Sequence, residues 1–401
     1  MTVVSLSDWV LVLLCSVAAI YVAVAAAALS AGPSAAERAR RRGRGALAAL
    51  PVSVLKPLCG AEPRLYENLA TFCEQNHPRF QLLFGVSSPA DPAIAVVRRL
   101  QAAYPSLDIE LVVDSRVHGQ NLKVSNLINM AERAKHEVII VADSDIAVEP
   151  DYLETVTAPL ANREVGIVTC LYHAVSVGGF WPRVGALFIN EWFAPSVRVA
   201  HAGGSTDFGF GATLALRAET LEQIGGFWAL KDDLADDYWL AEHVRRLGLS
   251  TVLSEVTVAT DVIEPDLSTL WLRETRWLRT IRSINPLGFA FLFITFTTPW
   301  LVAGVLLAHG FEGFTGSLRD WVLAASTGAG VLARIALHAR SARQAPEGTF
   351  WRDLPLVPLR DVLLALQWLV AAFGSYVVWR GARVTVVTAP RASVVEGSEG
   401  S

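Results

Sequence analysis

The strongest constraint on this chain is an uncharged apolar segment near its N-terminus, from Trp9 to Ala31. About 20 consecutive apolar residues cross a bilayer as a helix, so the segment predicts a membrane anchor. A cleaved signal peptide is the alternative, because small residues such as Ala28 and Ser30 offer a cleavage site. The anchor is favoured because no Lys or Arg precedes the segment and a cluster of arginines follows it, which also predicts a cytosolic location for the downstream chain. These arginines are Arg38, Arg40, Arg41, Arg42 and Arg44.

A second apolar region, 287–380, follows the middle of the chain and predicts a C-terminal membrane block. The weakest of its candidate spans is the middle one, because it is rich in Gly and Ser and contains Arg334. The tail, 389–401, is expected to be disordered. The candidate spans are 287–309, 318–338 and 362–379.

The side of the membrane on which the C-terminus lies stays open. With Met1 outside, four complete spans would leave the tail outside, yet Arg380, Arg383 and Arg391 follow the last span and favour the cytosol. One of the three C-terminal segments is therefore expected to be interfacial or re-entrant.

The composition narrows the class of protein further. Hydrophobic residues make up 52% of the 401 residues and charged residues only 18%, which excludes a disordered or fibrous chain and argues against a wholly soluble one. The net charge of -4 provides no basic footprint for nucleic acid. The four cysteines form no CxxC pair, so neither a disulfide framework nor a zinc site is predicted. A reduced, cytosolic setting fits the soluble part.

Between these apolar regions, residues 45–284 predict one α/β domain. Short β-branched runs bounded by Pro and Gly read as buried strands, and segments with helical spacing separate them. Strands that alternate with helices indicate βαβ units and a mostly parallel sheet, which binds ligands at the carboxyl ends of its strands. The predicted strands are 52–55, 81–86, 109–113 and 137–143, and the predicted helices are 63–76, 91–104 and 122–134.

Two carboxylates one residue apart, Asp143 and Asp145, end the strand EVIIVAD. At the carboxyl end of a strand they face the ligand crevice. Hard divalent cations take oxygen ligands, and Mg²⁺ is often shared with substrate phosphates, so the pair suits a metal that holds a nucleotide diphosphate. An exposed turn is the alternative, since Asp and Ser are common turn formers.

A second acidic pair, Asp236 and Asp237, opens a predicted helix in LADDYWLAEHVRRLG. Acidic residues at a helix start complement the helix dipole, which is the simpler explanation in isolation. The alternative is that one of them is a general base.

A basic helix, WLRETRWLRTIR, precedes the C-terminal apolar block. Its spacing places Arg273, Arg276 and Trp277 on one face, where the arginines match phosphate oxygens. A membrane-surface helix is the alternative, and both interpretations are compatible.

Three further polar residues lie near predicted helix starts. Lys123 and Asn126, in HGQNLKVSN, are candidate phosphate partners, although a solvated lysine is the commoner case. Asp91, in SPADPAI, is either a ligand residue or a helix cap followed by proline.

The order of these motifs resembles family 2 and family 21 glycosyltransferases with the Rossmann-like GT-A fold, and most closely the ceramide glucosyltransferase group. The resemblance covers about residues 51–290. Within that group it is closest to the bacterial enzymes of hopanoid biosynthesis that add N-acetylglucosamine to bacteriohopanetetrol, supported by IVTCLYHA and ALFINEWFAPS. The motifs that carry the wider resemblance are VSVLKPLCGAEPRLYENL, DPAIAVVRRL, HGQNLKVSNL, DSDI, GFGATLALR, LADDYWL and RETRWLRTIR.

The resemblance implies a role for each nucleotide-site residue. Asp91 would contact the uracil or ribose, Lys123 and Asn126 would flank the nucleotide, and Asp143 would bind its sugar. Asp145 would ligate Mg²⁺ or Mn²⁺. Ceramide enzymes often have Asp-x-Gly here, whereas this chain keeps the second carboxylate.

The resemblance also implies the catalytic residues. Asp237 matches the family's base, with Asp236 beside it, and Arg273, Arg276 and Trp277 match the motif near the diphosphate and acceptor. The implied protein is an inverting UDP-sugar-dependent enzyme with a membrane-lipid acceptor. It would be a multi-pass protein of the bacterial inner membrane with a cytosolic catalytic domain.

Three functions stay open: transfer of N-acetylglucosamine to a hopanoid polyol, which is favoured, transfer of glucose to ceramide, and processive polysaccharide synthesis. A translocation channel usually requires more spans than the chain offers. A non-catalytic scaffold would leave the ordered carboxylate motifs unexplained.

Overall fold

The structure is a computed structural model, and it describes residues 6–29, 50–309, 316–345, 348–374, 376–379 and 382–385. Its centre is an eight-stranded sheet. The strands of this sheet are β1 (Val52–Pro57), β2 (Phe80–Val86), β3 (Asp108–Val113), β4 (Val138–Val141), β5 (Ile146–Ala147), β6 (Val165–Ser176), β7 (Leu214–Arg217) and β8 (Ser250–Val262). A separate antiparallel hairpin is formed by β9 (Tyr376–Trp379) and β10 (Ala382–Thr385).

Helices cover both faces of the sheet and continue beyond it. Those up to the end of the α/β domain are α1 (Leu6–Ala28), α2 (Leu65–Cys73), α3 (Ala93–Ala103), α4 (Leu122–Ala131), α5 (Tyr152–Thr157), α6 (Phe180–Phe188), α7 (Ala194–Ala202), α8 (Ala218–Gln223), α9 (Asp236–Arg246) and α10 (Leu267–Ile284). The C-terminal helices are α11 (Pro286–Phe291), α12 (Thr297–His309), α13 (Leu318–Ala342), α14 (Thr349–Asp353) and α15 (Leu356–Ala371). Short 3₁₀ turns occur at Ala158–Ala161, Phe227–Leu230 and Leu292–Thr295, and a π turn, Ile189–Phe193, joins α6 to α7.

The sheet is buried on both faces, as the apolar runs of its first strands predict. Alternate side chains of β1 point to opposite layers: Val52 and Val54 pack against α2 and α3, whereas Leu55 packs against α4 and α9. This alternation explains why the strands have no polar face. The four strands and three helices predicted from the sequence are confirmed, with small shifts at their ends.

The sheet is mixed: four of its seven strand pairings are parallel, including β6 with β8, and three are antiparallel, so the predicted parallel character holds for only part of the sheet. Its order is β3-β2-β1-β4-β7-β6-β8-β5. The first four strands are parallel neighbours, but β7 is antiparallel to both β4 and β6, and β5 is antiparallel to β8. The α/β class is confirmed. The antiparallel β7 brings the loop before it, at Gly211, to the same edge of the sheet as the carboxyl end of β4.

Two described helices are long and apolar enough to cross a membrane: Trp9–Ala28 and Leu318–Ala342. They pack against each other, and the hydroxyl groups of Ser16 and Ser326 lie 3.0 Å apart at their contact. A third candidate requires that α11 and α12 with the turn between them count as one span, although they are bent by 52°.

The candidate spans of the C-terminal block are revised by this geometry. The segment 318–338, expected to be the weakest, lies within the longest helix, α13. The segment 287–309 is bent, and 362–379 is not one helix, because α15 ends at Ala371 and a strand begins at Tyr376. The predicted disordered tail, 389–401, lies outside the described residues, as do 30–31 and 45–49 at the predicted borders of the anchor and the α/β domain.

Candidate active site

A cavity of about 610 Å³ opens where β1 and β4 end and β7 begins. Ligand sites are usually concave pockets of this size class with a few convergent polar groups. All the site residues predicted from the sequence line it except Asp91 and Asn126. Those that line it are Lys123, Asp143, Asp145, Asp236, Asp237, Arg273, Arg276 and Trp277.

The two carboxylates after β4 are held by residues from distant strands. The hydroxyl of Thr260, on β8, donates to Asp145 Oδ2 at 2.8 Å. The ammonium of Lys56, on β1, donates to the backbone oxygen of Asp143 at 2.8 Å. Burial, together with the charges of Asp143 and Glu62, raises the pKa of Asp145 to about 7. Asp145 is therefore crowded by negative charge.

Lys123 links this turn to the second acidic pair. Its Nζ lies 2.7 Å from Asp143 Oδ1 and 3.3 Å from Asp236 Oδ2. Burial alone would lower the pKa of Lys123, but the charges of these carboxylates and of Asp237 outweigh burial and raise it. Lys123 is thus a protonated cation between two acidic segments.

The start of α4 places Lys123 because Asn121 caps the helix. The side-chain oxygen of Asn121 accepts from the backbone N–H groups of Lys123 and Val124, at 3.0 and 3.1 Å. Its amide nitrogen donates to Asp233 O at 2.7 Å and to Asp236 Oδ1 at 3.2 Å. One capping residue therefore joins the starts of α4 and α9.

Asp237 lies in the first turn of α9 and faces the cavity. Its Oδ2 accepts from the backbone N–H of Gly211 at 3.0 Å, and its Oδ1 accepts from its neighbour Tyr238 N at 2.9 Å. Burial, followed by the charge of Asp236, raises the pKa of Asp237 to about 6. A carboxylate with this pKa is deprotonated at neutral pH and is a stronger base than an ordinary aspartate.

Gly211 is required by the approach of these carboxylates. A Cβ at this position would lie 2.9 Å from Asp143 Oδ2 and 3.5 Å from Asp237 Oδ2. Any side chain would therefore fill the space between the two acidic segments.

On the opposite wall, α10 presents Arg273, Arg276 and Trp277, as its spacing predicts. Arg273 donates to Glu264 Oε2 at 2.6 Å. Among the described residues, no hydrogen bond or ion pair engages the Arg276 guanidinium. Burial and the neighbouring Arg273 lower its pKa, while Asp237 and Asp143 act in the other direction. Arg276 is thus a half-buried donor fork that faces acidic groups and has donors available for a ligand.

An aromatic wall completes the cavity. Trp277 packs against Phe188 and Phe193, with ring centroids 5.8 and 6.4 Å apart, and Tyr172 stacks on Phe193 at 5.0 Å. Tyr172, Phe188 and Phe193 lie in IVTCLYHA and ALFINEWFAPS, stretches that mark the resemblance but carry no predicted role of their own. Their high density of aromatic residues was the signal, but aromatic residues serve equally well in a core.

Asp91 and Asn126 do not line the cavity. Asp91 accepts from the backbone N–H groups of Gly60 and Ala93, so it closes the start of α3. Asn126 is buried and donates to Gly85 O at 2.8 Å. Both side chains hold the loops or helices beside the site, and their assignment to nucleotide binding stays a prediction.

Two residues not predicted from the sequence support the site: Glu62 lines the cavity, and Lys56 lies behind the acidic turn, on Asp143 O. Lys56 is fully buried, and its Nζ lies 3.6 Å from the centroid of the Phe72 ring. Glu62 Oε1 accepts from Ser144 Oγ at 3.3 Å. The available signal was a lysine inside a buried strand, since lysine is almost never fully buried without a partner.

The acidic side of the cavity fits a divalent cation. Asp143 and Glu62 are close enough to Asp145 to raise its pKa, and the buried Glu62 Oε2 lacks a hydrogen-bond partner among the described residues. No three His, Cys, Asp or Glu side chains in the described part of the chain converge into a closed metal site. An Mg²⁺ ion that shares substrate phosphates needs only one or two protein carboxylates, so the donor set is sufficient.

Comparisons with known proteins agree with these features. The family model described as glycosyl transferase family 21 matches residues 10–392. Ceramide glucosyltransferase 3 of Caenorhabditis elegans is 28% identical over 232 residues, which cover 57% of this chain and 50% of that protein. Ceramide glucosyltransferase of Candida albicans is 33% identical over 108 residues, which cover 24% of this chain and 20% of that protein.

The chain spans about half the length of the curated C. elegans relatives that it matches. Among solved structures, the mannosyltransferase PcManGT from Pyrobaculum calidifontis, in complex with GDP-Man and Mn²⁺, is 20% identical. The TM-score is 0.45, and the match covers 89% of this chain and 99% of that one.

Proposed function

We propose that this chain, which belongs to glycosyl transferase family 21, transfers a sugar from a UDP-sugar to a hydroxyl group of a membrane lipid, with inversion at the anomeric carbon. The observation that carries the proposal is that Asp237, with a raised pKa, shares one cavity with Asp143, Asp145 and Arg276. Inverting transfer requires a base on one side of the anomeric carbon and stabilisation of a leaving anion on the other.

Donor binding is assigned to the acidic turn and its cationic neighbours. Asp143 holds the nucleotide's sugar, and Lys123 and Arg276 lie where the charge of a diphosphate would be balanced. Asp145 would hold Mg²⁺ or Mn²⁺, which when bound supplies positive charge to the leaving diphosphate. Asp91, in the loop before α3, and Asn126, on α4, support the nucleotide end of the site.

Asp237 carries out the proton transfer. Its carboxylate takes the proton of the acceptor hydroxyl, and the oxygen forms a bond to the anomeric carbon from the face opposite the diphosphate. The bond from that carbon to the diphosphate oxygen breaks, and the electron pair leaves with the UDP. Asp236 keeps Lys123 in place beside the base.

The aromatic wall and the candidate spans support a lipid acceptor. Tyr172, Phe193 and Trp277 provide an apolar surface next to the base. Two helices have the length and hydropathy of membrane spans. We assign the chain to a multi-pass protein of the bacterial inner membrane, with the α/β domain on the cytosolic side, because arginines follow the first apolar segment.

N-acetylglucosamine and bacteriohopanetetrol are the favoured donor sugar and acceptor, on the motifs IVTCLYHA and ALFINEWFAPS. Glucose and ceramide are the second candidate pair, and the ceramide glucosyltransferase relatives support it. Both candidates use the same residues in the same roles.

The test is a matrix of donors and acceptors. Purified full-length protein is incubated with UDP-glucose or UDP-N-acetylglucosamine and with bacteriohopanetetrol or ceramide, and the products are measured by mass spectrometry. One glycolipid should form, with the anomeric configuration inverted relative to the donor by NMR. The Asp237→Asn variant is the matched control and should form far less of it. Retention of configuration, or equal product from the variant, would contradict the mechanism.

A further inference from the structure

A π turn interrupts the helical stretch that forms the aromatic wall. Residues Ile189–Phe193 join α6 to α7, and the backbone is helical at both junctions, Phe188 and Ala194. π turns inside helices are rare and frequently lie at functional sites. Ile189, Trp192 and Phe193 line the cavity. Asn190 and Glu191, between them, do not line it and make other contacts.

Asn190 fixes the turn to the sheet. Its side-chain oxygen accepts from Ala174 N at 2.7 Å, and its amide nitrogen donates to Ala174 O at 2.9 Å. Ala174 is two residues from the cavity residue Tyr172 on β6. The turn is therefore pinned to the strand that supplies the rest of the wall.

Glu191 fixes the turn to the candidate membrane helix α13. Arg334 Nη1 lies 2.5 Å from Glu191 Oε2, and His338 Nδ1 lies 2.5 Å from Glu191 Oε1. The side chains of Glu191 and His338 are only 2% and 1% exposed. Both oxygens of one buried carboxylate are thus engaged by residues one helical turn apart on α13.

Arg334 continues the connection to α15 and α12. It donates to both oxygens of Asp361, at 3.2 and 3.0 Å, and Asp361 Oδ2 also accepts from the hydroxyl of Thr298 at 2.7 Å. Glu191, Arg334, His338 and Asp361 together form what we name the buried charge cluster.

The residue next to Asp361 reaches the opposite wall. Arg360 is almost fully buried, and its Nη1 donates to Glu274 Oε2 at 2.6 Å, while Gln367 donates to the same oxygen at 2.8 Å. Glu274 lies beside Arg273 on α10. Two sets of charged contacts, one to each wall of the cavity, therefore meet at the adjacent residues Arg360 and Asp361 of α15.

Such contacts are better suited to fixing geometry than to adding stability. Replacing a buried ion pair with well-packed apolar residues is often neutral or stabilising, because the cost of removing charges from water offsets their attraction. Their hydrogen bonds, however, allow only a narrow range of relative positions. Charged residues are also rare within membrane helices and usually have a functional role.

We infer that Glu191, Arg334 and Asp361 are positioning residues that hold the aromatic wall, at Trp192 and Phe193, at a set distance from the base Asp237. The cluster therefore controls binding and orientation of the acceptor more than binding of the UDP-sugar. This inference rests on the proposed function, because it assigns the aromatic wall to the acceptor.

The kinetic test uses Glu191→Gln, which keeps the shape of the side chain and removes its charge. Displacement of a reacting group by about 1 Å can cost about 100-fold in rate, so we expect the acceptor kcat/KM to fall by about 10- to 100-fold. The KM for the UDP-sugar and the affinity for UDP by calorimetry should stay within about twofold, since the acidic turn does not touch the cluster. The milder His338→Gln variant, which retains the pair between Arg334 and Glu191, should shift the same parameters less.

The matched control is Glu219→Gln. Glu219 pairs with Arg163 at 3.1 Å on the surface, with side chains 65% and 78% exposed. The same chemical change there should alter none of the three quantities: the acceptor kcat/KM, the KM for the UDP-sugar or the affinity for UDP. The inference would be overturned if, in a folded Glu191→Gln variant, binding of the UDP-sugar and of UDP weakened by the same factor as the acceptor kcat/KM falls. An unchanged acceptor kcat/KM would also overturn it.

Hydrogen exchange gives a readout that does not require turnover. In Glu191→Gln, amide exchange should rise across Phe180–Ala202 and stay unchanged across β1 and β4. If the wild type transfers no sugar to any acceptor, the proposed function fails, and the exchange pattern still decides whether the cluster holds the wall. Unchanged exchange across Phe180–Ala202 would overturn the inference. If Glu191→Gln does not fold, the same exchange and kinetic comparisons are made on His338→Gln.

Discussion

Lys123 Nζ lies 2.7 Å from Asp143 Oδ1, and the same nitrogen lies 3.3 Å from Asp236 Oδ2. One ammonium group therefore joins the acidic turn after β4 to the first turn of α9. Because its charge balances two carboxylates, Lys123 allows the acidic groups to crowd around one cavity. A phosphate that enters would compete with Asp143 for the same cation.

Asp237→Asn should slow transfer without preventing donor binding. The variant keeps the size of the side chain but cannot accept the proton of the acceptor, and a positioned base is worth about 10² to 10⁴ in rate. Steady-state kinetics give kcat, and calorimetry gives the affinity for the UDP-sugar. Asp236→Asn is the control and should cost less, on the order of 1 kcal/mol in local stability at the helix start. If Asp236→Asn lost more activity than Asp237→Asn, Asp236 would be the base and Asp237 its neighbour.

The pH dependence of the wild type should report the same group. Burial and the charge of Asp236 raise the pKa of Asp237 to about 6. The active base is the deprotonated Asp237 carboxylate. At a saturating concentration of the divalent cation, which would keep its ligand Asp145 deprotonated, kcat/KM should therefore fall as the pH drops below about 6 and level off above it. The residual activity of Asp237→Asn should lack this acid limb. A wild-type kcat/KM that does not change between about pH 5 and 7 would contradict the assignment of Asp237 as the base, since this range covers about one unit on each side of the pKa.

Removal of the cation or of its proposed ligand should abolish transfer. Asp145→Ala should be inactive yet folded, and a chelator should inactivate the wild type. A subtler variant is Thr260→Val, which removes the hydroxyl that donates to Asp145 Oδ2. Loss of such a partner typically costs about 10- to 100-fold in metal affinity. Calorimetric titration of Mn²⁺ in the presence of UDP measures the metal affinity directly. Full activity in the presence of a chelator would contradict a role for the metal.

Arg276→Lys should be strongly impaired although it keeps the positive charge. The planar fork of arginine binds two phosphate oxygens at once, whereas lysine offers a single point of charge. The matched control is Arg279→Lys on the same helix, since Arg279 donates to Tyr376 O and does not line the cavity. Affinity for UDP should fall only in the first variant. Wild-type rates in Arg276→Lys would reduce this residue to a membrane-surface contact.

Lys56→Met should reduce activity without lowering the Tm. Burial lowers the pKa of Lys56 to about 7, below its ordinary value, so between these values the unfolded chain binds more protons than the folded one. The charged lysine therefore destabilises the fold at and below neutral pH, by about 1.4 kcal/mol for each pKa unit of the shift. Methionine removes this cost and fills the space, but Asp143 O loses its donor. A large drop in Tm would show that Lys56 serves the fold instead of the site.

Local pattern in the sequence was enough to predict a large part of this site. The apolar run Val138–Val141 is a buried parallel strand, so the carboxylates that follow it reach the carboxyl edge of the sheet. The spacing of Arg273, Arg276 and Trp277 places them on one face of a helix whatever the helix packs against. The uncharged run from Trp9 likewise predicts a helix by length and hydropathy alone. Each of these properties depends on neighbours within a few residues.

Only the tertiary structure decided the properties that depend on distant contacts. The helical pattern near 362–379 does not continue, because α15 ends and a strand pairs with Ala382–Thr385. Glu191 and Arg334 are 143 residues apart, and no periodicity links them. Lys56 has its low pKa because folding buries its ammonium beside the Phe72 ring. Periodicity encodes which side a residue faces, whereas burial, pKa and ion pairing arise from the groups that folding brings to that side.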